Sequence, residues 1–327
     1  MNERERFTKT MRFERPDRAP RFEQYIRDDT IKRWRKEGLP RDVDIEEYFN
    51  LDHREVLPLK LALRELPRLE TPIESENDLN RLRKYLEKAL KGAYPRDWTK
   101  LVEKYKKRDY PVGVAAWESG ILQFLGVIGW SSLERACLML YDKPDLADSI
   151  IELFADFLVR GVERALEDVE IDFAYFTEPI AGGYGPVISP EMFRKLAIPR
   201  YKKVIAPLKE RGVDIIMRSF GNIDLLLPDM VEAGITGLWM TDMVPSNMDY
   251  MAIRKKYGQK LALIGGIDSA VLTRDEQAIE EEIYSKAPPL LESGGYIPTI
   301  DNRPRAHIPF KNFVFYRKLL EKVCASY

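Results

Sequence analysis

The sequence predicts an α/β protein: a single (β/α)8 TIM barrel spanning residues 1–327, with an N-terminal helical extension. Three observations predict it. Roughly eight short apolar runs alternate with stretches of helical periodicity, as strands and helices do in a parallel α/β fold. Several of those runs are apolar throughout, which marks strands buried on both faces. No stretch of linker composition divides the 327 residues, a length that α/β barrels reach as one domain. A doubly wound open sheet fits the same pattern, because ring closure leaves no mark in a sequence.

The elements follow in order. Residues 1–18 are charged, with Phe7, Met11 and Thr8 or Thr10 on one face of a short helix. A first strand over 19–23 ends in Glu23 and Gln24. Asp28 and Asp29 open a helix on which Ile31 and Trp34 share a face, and Gly38 with Pro40 stops it. A weaker second strand over 55–61 is interrupted by Pro58, and 64–78 is rich in turns and charge. Leu79, Leu82, Leu86 and Leu90 repeat at helical spacing, and 98–107 is again helical. The third strand, 110–117, ends in Trp117-Glu118-Ser119-Gly120.

A helix over 133–141 precedes the strongest helix, 145–168, striped by Leu146, Ile150, Phe154, Phe157, Leu158 and Ala165. The fourth strand, 172–177, runs into Glu178 and an irregular Gly- and Pro-rich loop. Ser189-Pro190-Glu191 then opens a helix with a capping hydroxyl, a first-turn proline and a carboxylate suited to the helix dipole. The fifth strand, 213–217, stops at Arg218-Ser219-Phe220-Gly221-Asn222. The helix after it closes at Ala233-Gly234, and Pro228 bends it or starts a second segment. The sixth strand, 236–240, leads to Asp242, and the seventh, 261–265, leads to Asp268. Thr273 and Glu276 have capping-box spacing. The eighth strand, 295–300, leads to Asp301-Asn302-Arg303, and Phe313, Tyr316, Leu320 and Val323 stripe the last helix.

Composition narrows the function classes. Apolar residues make up 45% and charged residues 32%, enough for a large core and a polar surface. The net charge of −1 predicts no nucleic-acid or acidic-membrane partner. Two cysteines, Cys137 and Cys324, give no disulfide framework and suit a reducing compartment. No run approaches the ~18 apolar residues of a membrane span, and the charged first residues lack a signal-peptide core. The expected location is cytoplasmic.

In a barrel, chemistry collects where strands end at one mouth. That rule gathers Glu23, Glu118, Glu178, Arg218, Asn222, Asp242, Asp268, Asp301, Asn302 and Arg303. Carboxylates there act as acids or bases, bind cations or accept hydrogen bonds from substrate, and arginines suit anionic groups. Glu118, Glu178 and Asp301 are read as catalytic, the others as substrate-binding. Each is also an ordinary strand-end or capping residue type. Tyr184 sits on the Gly-rich loop as a lid residue or as a packed loop aromatic. His307, after the eighth strand, joins the substrate-binding set, whereas His53 reads as a surface or capping residue.

Metal-ligand spacing is lacking: His53 and His307 are the sole histidines, and Cys137 and Cys324 fall in predicted helices. An all-oxygen magnesium or calcium site stays open. Gly182-Gly183-Tyr184-Gly185 and Gly265-Gly266 match no nucleotide-binding pattern.

Seven segments, in order along nearly the whole chain, resemble the uroporphyrinogen decarboxylase superfamily. They are RERFTKTMRFERPDRAP, IKRWRKEGLP, GPVISPEMFRKLAIPRYKKVI, FGNIDLLLPDMVEAGITGL, LALIGGIDSAVLT, PPLLESGGYIPTIDNRP and NFVFYRKLLEKV. The superfamily includes uroporphyrinogen decarboxylases and cobalamin-dependent methyltransferases, and the resemblance implies one (β/α)8 barrel domain. The decarboxylases carry Arg-Gln-Ala-Gly-Arg-Tyr after the first strand, whose arginines hold substrate carboxylates. Here that region reads PRFEQYIRDDTIKRW, with Arg27 a partial substitute. The aspartate that holds pyrrole N–H groups has no placed counterpart near residues 52–63. Asn302 stands where relatives have Asp-His, with His307 nearby.

The methyltransferase branch binds zinc through a His-x-Cys pair and a later cysteine. The matching positions are Arg218 and Phe220, then Asp301 and Asn302, so zinc activation of a thiol is disfavoured. The resemblance therefore implies methyl transfer between a small substrate and a corrinoid supplied by a partner protein, with no tightly bound cofactor. A protonated carboxyl among Glu118, Glu178 and Asp301 would serve the leaving group. Decarboxylation of a tetrapyrrole or other polycarboxylate (a lyase), and a non-catalytic ligand-binding barrel, are the alternatives. A homo-oligomer is compatible with all three.

Overall fold

The structure is a computed structural model that describes residues 1–66, 73–127 and 130–327. The turn-rich reading of 67–72 lies outside the described residues. The chain forms two compact units, one from Glu55–Arg108 and Val112–Ile235, the other from Met1–Arg54, Asp109–Pro111 and Thr236–Tyr327.

The first of these is built on β1 (Glu55–Val56), β2 (Val112–Trp117), β3 (Phe173–Thr177), a small antiparallel pair β4 (Ala181–Gly182) and β5 (Gly185–Pro186), and β6 (Asp214–Phe220). Strands β1, β2, β3 and β6 pair in that order, all parallel. Their apolar runs are buried on both faces: Val112, Val114, Phe173, Phe176, Ile215 and Met217 are all enclosed. The helix Pro144–Asp168 crosses from β2 to β3, with proline in its first turn and the whole predicted stripe buried. Ser189 caps the helix Pro190–Leu196 by accepting from the Met192 amide at 3.1 Å. Pro228 lies in the first turn of the helix Leu227–Ala233, so it starts that helix and does not bend it.

The other unit carries β7 (Gly237–Thr241), β8 (Ala262–Ile267) and β9 (Tyr296–Ile300), paired in parallel in that order. Its N-terminal helices are held to the last helix, Phe310–Cys324, by an aromatic cluster. Trp34, fully buried, packs on Phe49, Phe310 and Phe313, and its indole N–H donates to the Ile308 carbonyl at 2.8 Å.

Four expectations need correction. Residues 19–23 form no strand. Their backbone is satisfied otherwise: the Arg21 amide donates to the Asp52 carboxylate at 3.0 Å, and the Arg21 carbonyl accepts from the Asp52 amide at 2.9 Å. With Pro20 lacking an N–H, this leaves no ladder to join. The second strand is reduced to two residues. The fifth predicted strand runs on to Phe220, so Arg218 lies inside β6 and not past its end. Asp275, not Thr273, caps the helix Glu276–Glu292 by accepting from the Ala278 amide, while the Thr273 hydroxyl donates to the Ala270 carbonyl. Among the described residues no helix is long and apolar enough to cross a membrane.

Candidate active site at the strand ends

In the unit built on β1–β6, strand register assembles a compact polar group. Thr177 ends β3 and is the register partner of Arg218 on β6, while Glu118 follows β2 directly. The Glu118 side chain is only 6% exposed. One of its oxygens accepts from Arg64 Nη1 at 3.0 Å and the other from the Thr177 hydroxyl at 3.1 Å. Arg218 Nη1 stands 3.8 Å from that second oxygen. Residues two apart on a strand share a face, so Tyr175 lies beside Thr177, and the Arg218 guanidinium rests 4.8 Å above the Tyr175 ring. Two guanidinium groups therefore share one carboxylate.

Glu178 has no exposed surface. Its carboxyl accepts from the Tyr201 hydroxyl at 2.7 Å, the Trp117 indole at 3.1 Å and the Ile121 amide at 3.1 Å. Burial pushes its pKa up to about 7, against those donors, which favour the ionised form. A β-carbon on Gly120, whose φ is +81°, would sit 2.4 Å from Glu178 Oε1, so the glycine lets the carboxyl reach the Ile121 amide. Glu178 ties the end of β3 to the start of the helix Ile121–Phe124.

Tyr184 stands fully exposed at the tip of the β4–β5 hairpin. The Asn222 amide donates to the Gly182 carbonyl at 2.8 Å, and the Asn222 side chain accepts from the Asp224 amide at 3.1 Å. Asn222 therefore anchors the hairpin and a turn.

In the other unit the candidates separate. Glu23, 1% exposed in its side chain, accepts from Thr299 at 2.6 Å, Tyr316 at 2.7 Å and Arg317 at 2.8 Å, a buried ion pair in which Arg317 Nε has no hydrogen-bond partner among the described residues. Asp301 is buried and accepts from the Met243 and Ser269 amides, each at 3.0 Å; burial raises its pKa against those two bonds. Asn302 donates to Asp242 at 2.5 Å and accepts from the Arg303 amide at 2.8 Å. Asp242 is exposed and holds a φ of +53°. Asp268 caps the short 3-10 turn Ser269–Thr273 through the Ala270 amide. Arg303 and His307 are exposed on the segment before the last helix. His53 lies 3.0 Å from the Glu46 carboxylate with its ring edge-on to Tyr110.

The structure thus brings Glu118 and Arg218 together, with the Glu178 amide donating to the Arg218 carbonyl at 3.0 Å, and brings Asp242 to Asn302. Arg64, Thr177 and Tyr175 were not among the sequence candidates. Thr177 had a usable signal, as the last strand residue before Glu178. Arg64 had none, because it lies in a stretch read only as turn and charge.

Comparison with known proteins completes the picture. Residues 57–297 match the family model Uroporphyrinogen decarboxylase (URO-D). Uroporphyrinogen decarboxylase of Chloroherpeton thalassium is 25% identical over 241 residues, 71% of this chain and 64% of that protein. The enzyme of the same name from Hydrogenovibrio crunogenus is 25% identical over 236 residues, 69% of this chain and 63% of that protein. The match thus spans a little under two thirds of these relatives. Among solved structures, a methyltransferase from Methanosarcina mazei superposes with a TM-score of 0.64 at 15% identity, covering 98% of this chain and 99% of that one. That likeness concerns the fold, an α/β architecture of parallel strands and helices. With the family model matching most of its length, the chain belongs to the uroporphyrinogen decarboxylase (URO-D) family, as a divergent member of that superfamily.

Proposed function

We propose that this barrel enzyme moves a methyl group between a small substrate and a corrinoid carried by a partner protein. One observation carries the choice over tetrapyrrole decarboxylation. The segment after the first predicted strand, where the decarboxylases' arginines hold substrate carboxylates, offers no such clamp here. Its buried residue is Glu23, already neutralised by Arg317, and its arginines each have a carboxylate of their own: Arg21 pairs with Glu321 at 2.8 Å, Arg27 with Asp29 at 3.1 Å and Arg33 with Glu37 at 2.6 Å. A polycarboxylate would meet a closed carboxylate where it needs cations.

Zinc does not fit. Around Arg218 the side chains are guanidinium, carboxylate, hydroxyl and phenol, and among the described residues no thiolate or imidazole ligand is supplied there. In this reading the corrinoid, when bound, supplies the methyl acceptor or donor, and this chain binds and orients the small substrate at the strand ends. Glu178, accepting from Tyr201, Trp117 and Ile121, and Asp301, accepting from two backbone amides, are both buried and position their loops. Glu118, with Arg64 and Arg218, faces the substrate.

The test is spectroscopic. Purified protein is mixed with methylcobalamin or reduced cobalamin and a panel of small methyl acceptors and donors, and the cobalamin absorbance is followed. An enzyme-dependent absorbance change with one member of the panel supports methyl transfer. Carbon dioxide release from uroporphyrinogen, with no cobalamin change, would replace this reading by decarboxylation.

A further inference from the structure

We infer that Arg64, Glu118 and Arg218 form a receptor for a singly charged anionic group, a carboxylate, and that Glu118 limits it to one charge. The inference rests on the reading of these strand ends as the substrate site.

Other arginines of the same unit have carboxylates of their own: Arg108 has Asp172, Arg160 has Glu87, Arg194 has Asp229, and Arg200 has Asp148 and Glu152. Arg64 and Arg218 share Glu118, and among the described residues neither pairs with a second carboxylate. The group therefore keeps one net positive charge. Its donors are also largely uncommitted. A guanidinium has five N–H donors. Arg64 spends one on Glu118 and is 71% exposed in its side chain; Arg218, 37% exposed, approaches Glu118 no closer than 3.8 Å. Tyr175 holds the Arg218 guanidinium carbon 4.8 Å from its ring centroid, and the N–H edge of that group is what a ligand would meet.

Such an edge matches the two oxygens of a carboxylate. A phosphate dianion would bring a second charge against Glu118, whose position is fixed by Thr177 and Arg64. Glu118 is thus a selectivity residue: it orients the arginines and repels the second charge.

The experiment compares benzoate with inorganic phosphate at constant ionic strength, since exposed charges are screened, by ligand-induced shifts in Tm and by NMR titration. Wild type is expected to bind benzoate and not phosphate. E118Q is expected to bind benzoate several-fold more tightly and to gain phosphate binding. R218Q is expected to lose at least about tenfold in benzoate affinity, about 1.4 kcal/mol, and R64Q a smaller factor. Weaker benzoate binding by a folded E118Q would overturn the proposal, because Glu118 would then hold the ligand directly. Should E118Q not fold, the exposed R64Q remains decisive, and unchanged benzoate affinity there rejects the receptor. Benzoate binding without cobalamin chemistry would leave the receptor standing and remove the methyl-transfer reading. Cobalamin turnover with no anion binding would do the reverse.

Discussion

Glu178, read from the sequence as a reactive acid, and Glu23, read as substrate-binding, are each enclosed by donors from elsewhere in the chain. For Glu178 the consequence is a pH-dependent stability. Its pKa is raised from 4.5 to about 7 by burial. Between those values the folded protein holds a proton that the unfolded chain has released, so stability falls as pH rises through this window. The full effect is about 3 kcal/mol. Urea unfolding from pH 5 to 8 should show this decline in wild type and a flatter profile in Glu178→Gln; parallel profiles would refute the assignment. For Glu23 the enclosure is an ion pair. Arg317→Met leaves the carboxylate buried without its cation and should cost about 3–5 kcal/mol, most of it recovered in the double variant Glu23→Gln/Arg317→Met. Chemical denaturation of wild type and the two variants measures this, and equal stability of wild type and Arg317→Met would deny the pair its role.

At the scale of elements, the hairpin bearing Tyr184 depends on Gly221. That glycine has a φ of +76°, and a β-carbon there would lie 2.4 Å from the Ala181 carbonyl oxygen. Gly221→Ala should therefore displace the hairpin from β6. Hydrogen exchange over 181–187 is expected to rise sharply while the β6 core amides stay protected; unchanged exchange in the hairpin would contradict this. The elements themselves were largely legible. Runs such as those of β3 and β6 announce themselves because a doubly buried strand must be apolar throughout. Residues 19–23 carry a similar signal and form no strand, since Asp52, some thirty positions later, takes their backbone bonds. The same limit governs the site. Glu118 and Arg218 could be found as strand-end polar residues, but Arg64 is 54 positions from the carboxylate it binds, and Tyr316 and Arg317 are more than 290 from Glu23. Local pattern records which residues follow a strand; it does not record which of them a distant helix will neutralise.

For the whole molecule, family membership and the parallel α/β architecture agree with the alternation read from the sequence. The similar proteins are uroporphyrinogen decarboxylases by sequence and a methyltransferase by fold, so function turns on which polar groups remain available to a ligand. Glu23 and Glu178 are closed, whereas Arg218 keeps exposed surface beside a carboxylate and an aromatic ring. Under the proposed function, Arg218 acts at the substrate. The direct measurement is cobalamin-linked turnover of Arg218→Ala against wild type, with circular dichroism and Tm recorded on both. Loss of a charge-assisted hydrogen bond of about 1.5 kcal/mol or more predicts turnover at low substrate reduced by at least about tenfold with the fold intact. Turnover equal to wild type in a folded Arg218→Ala protein would contradict the account.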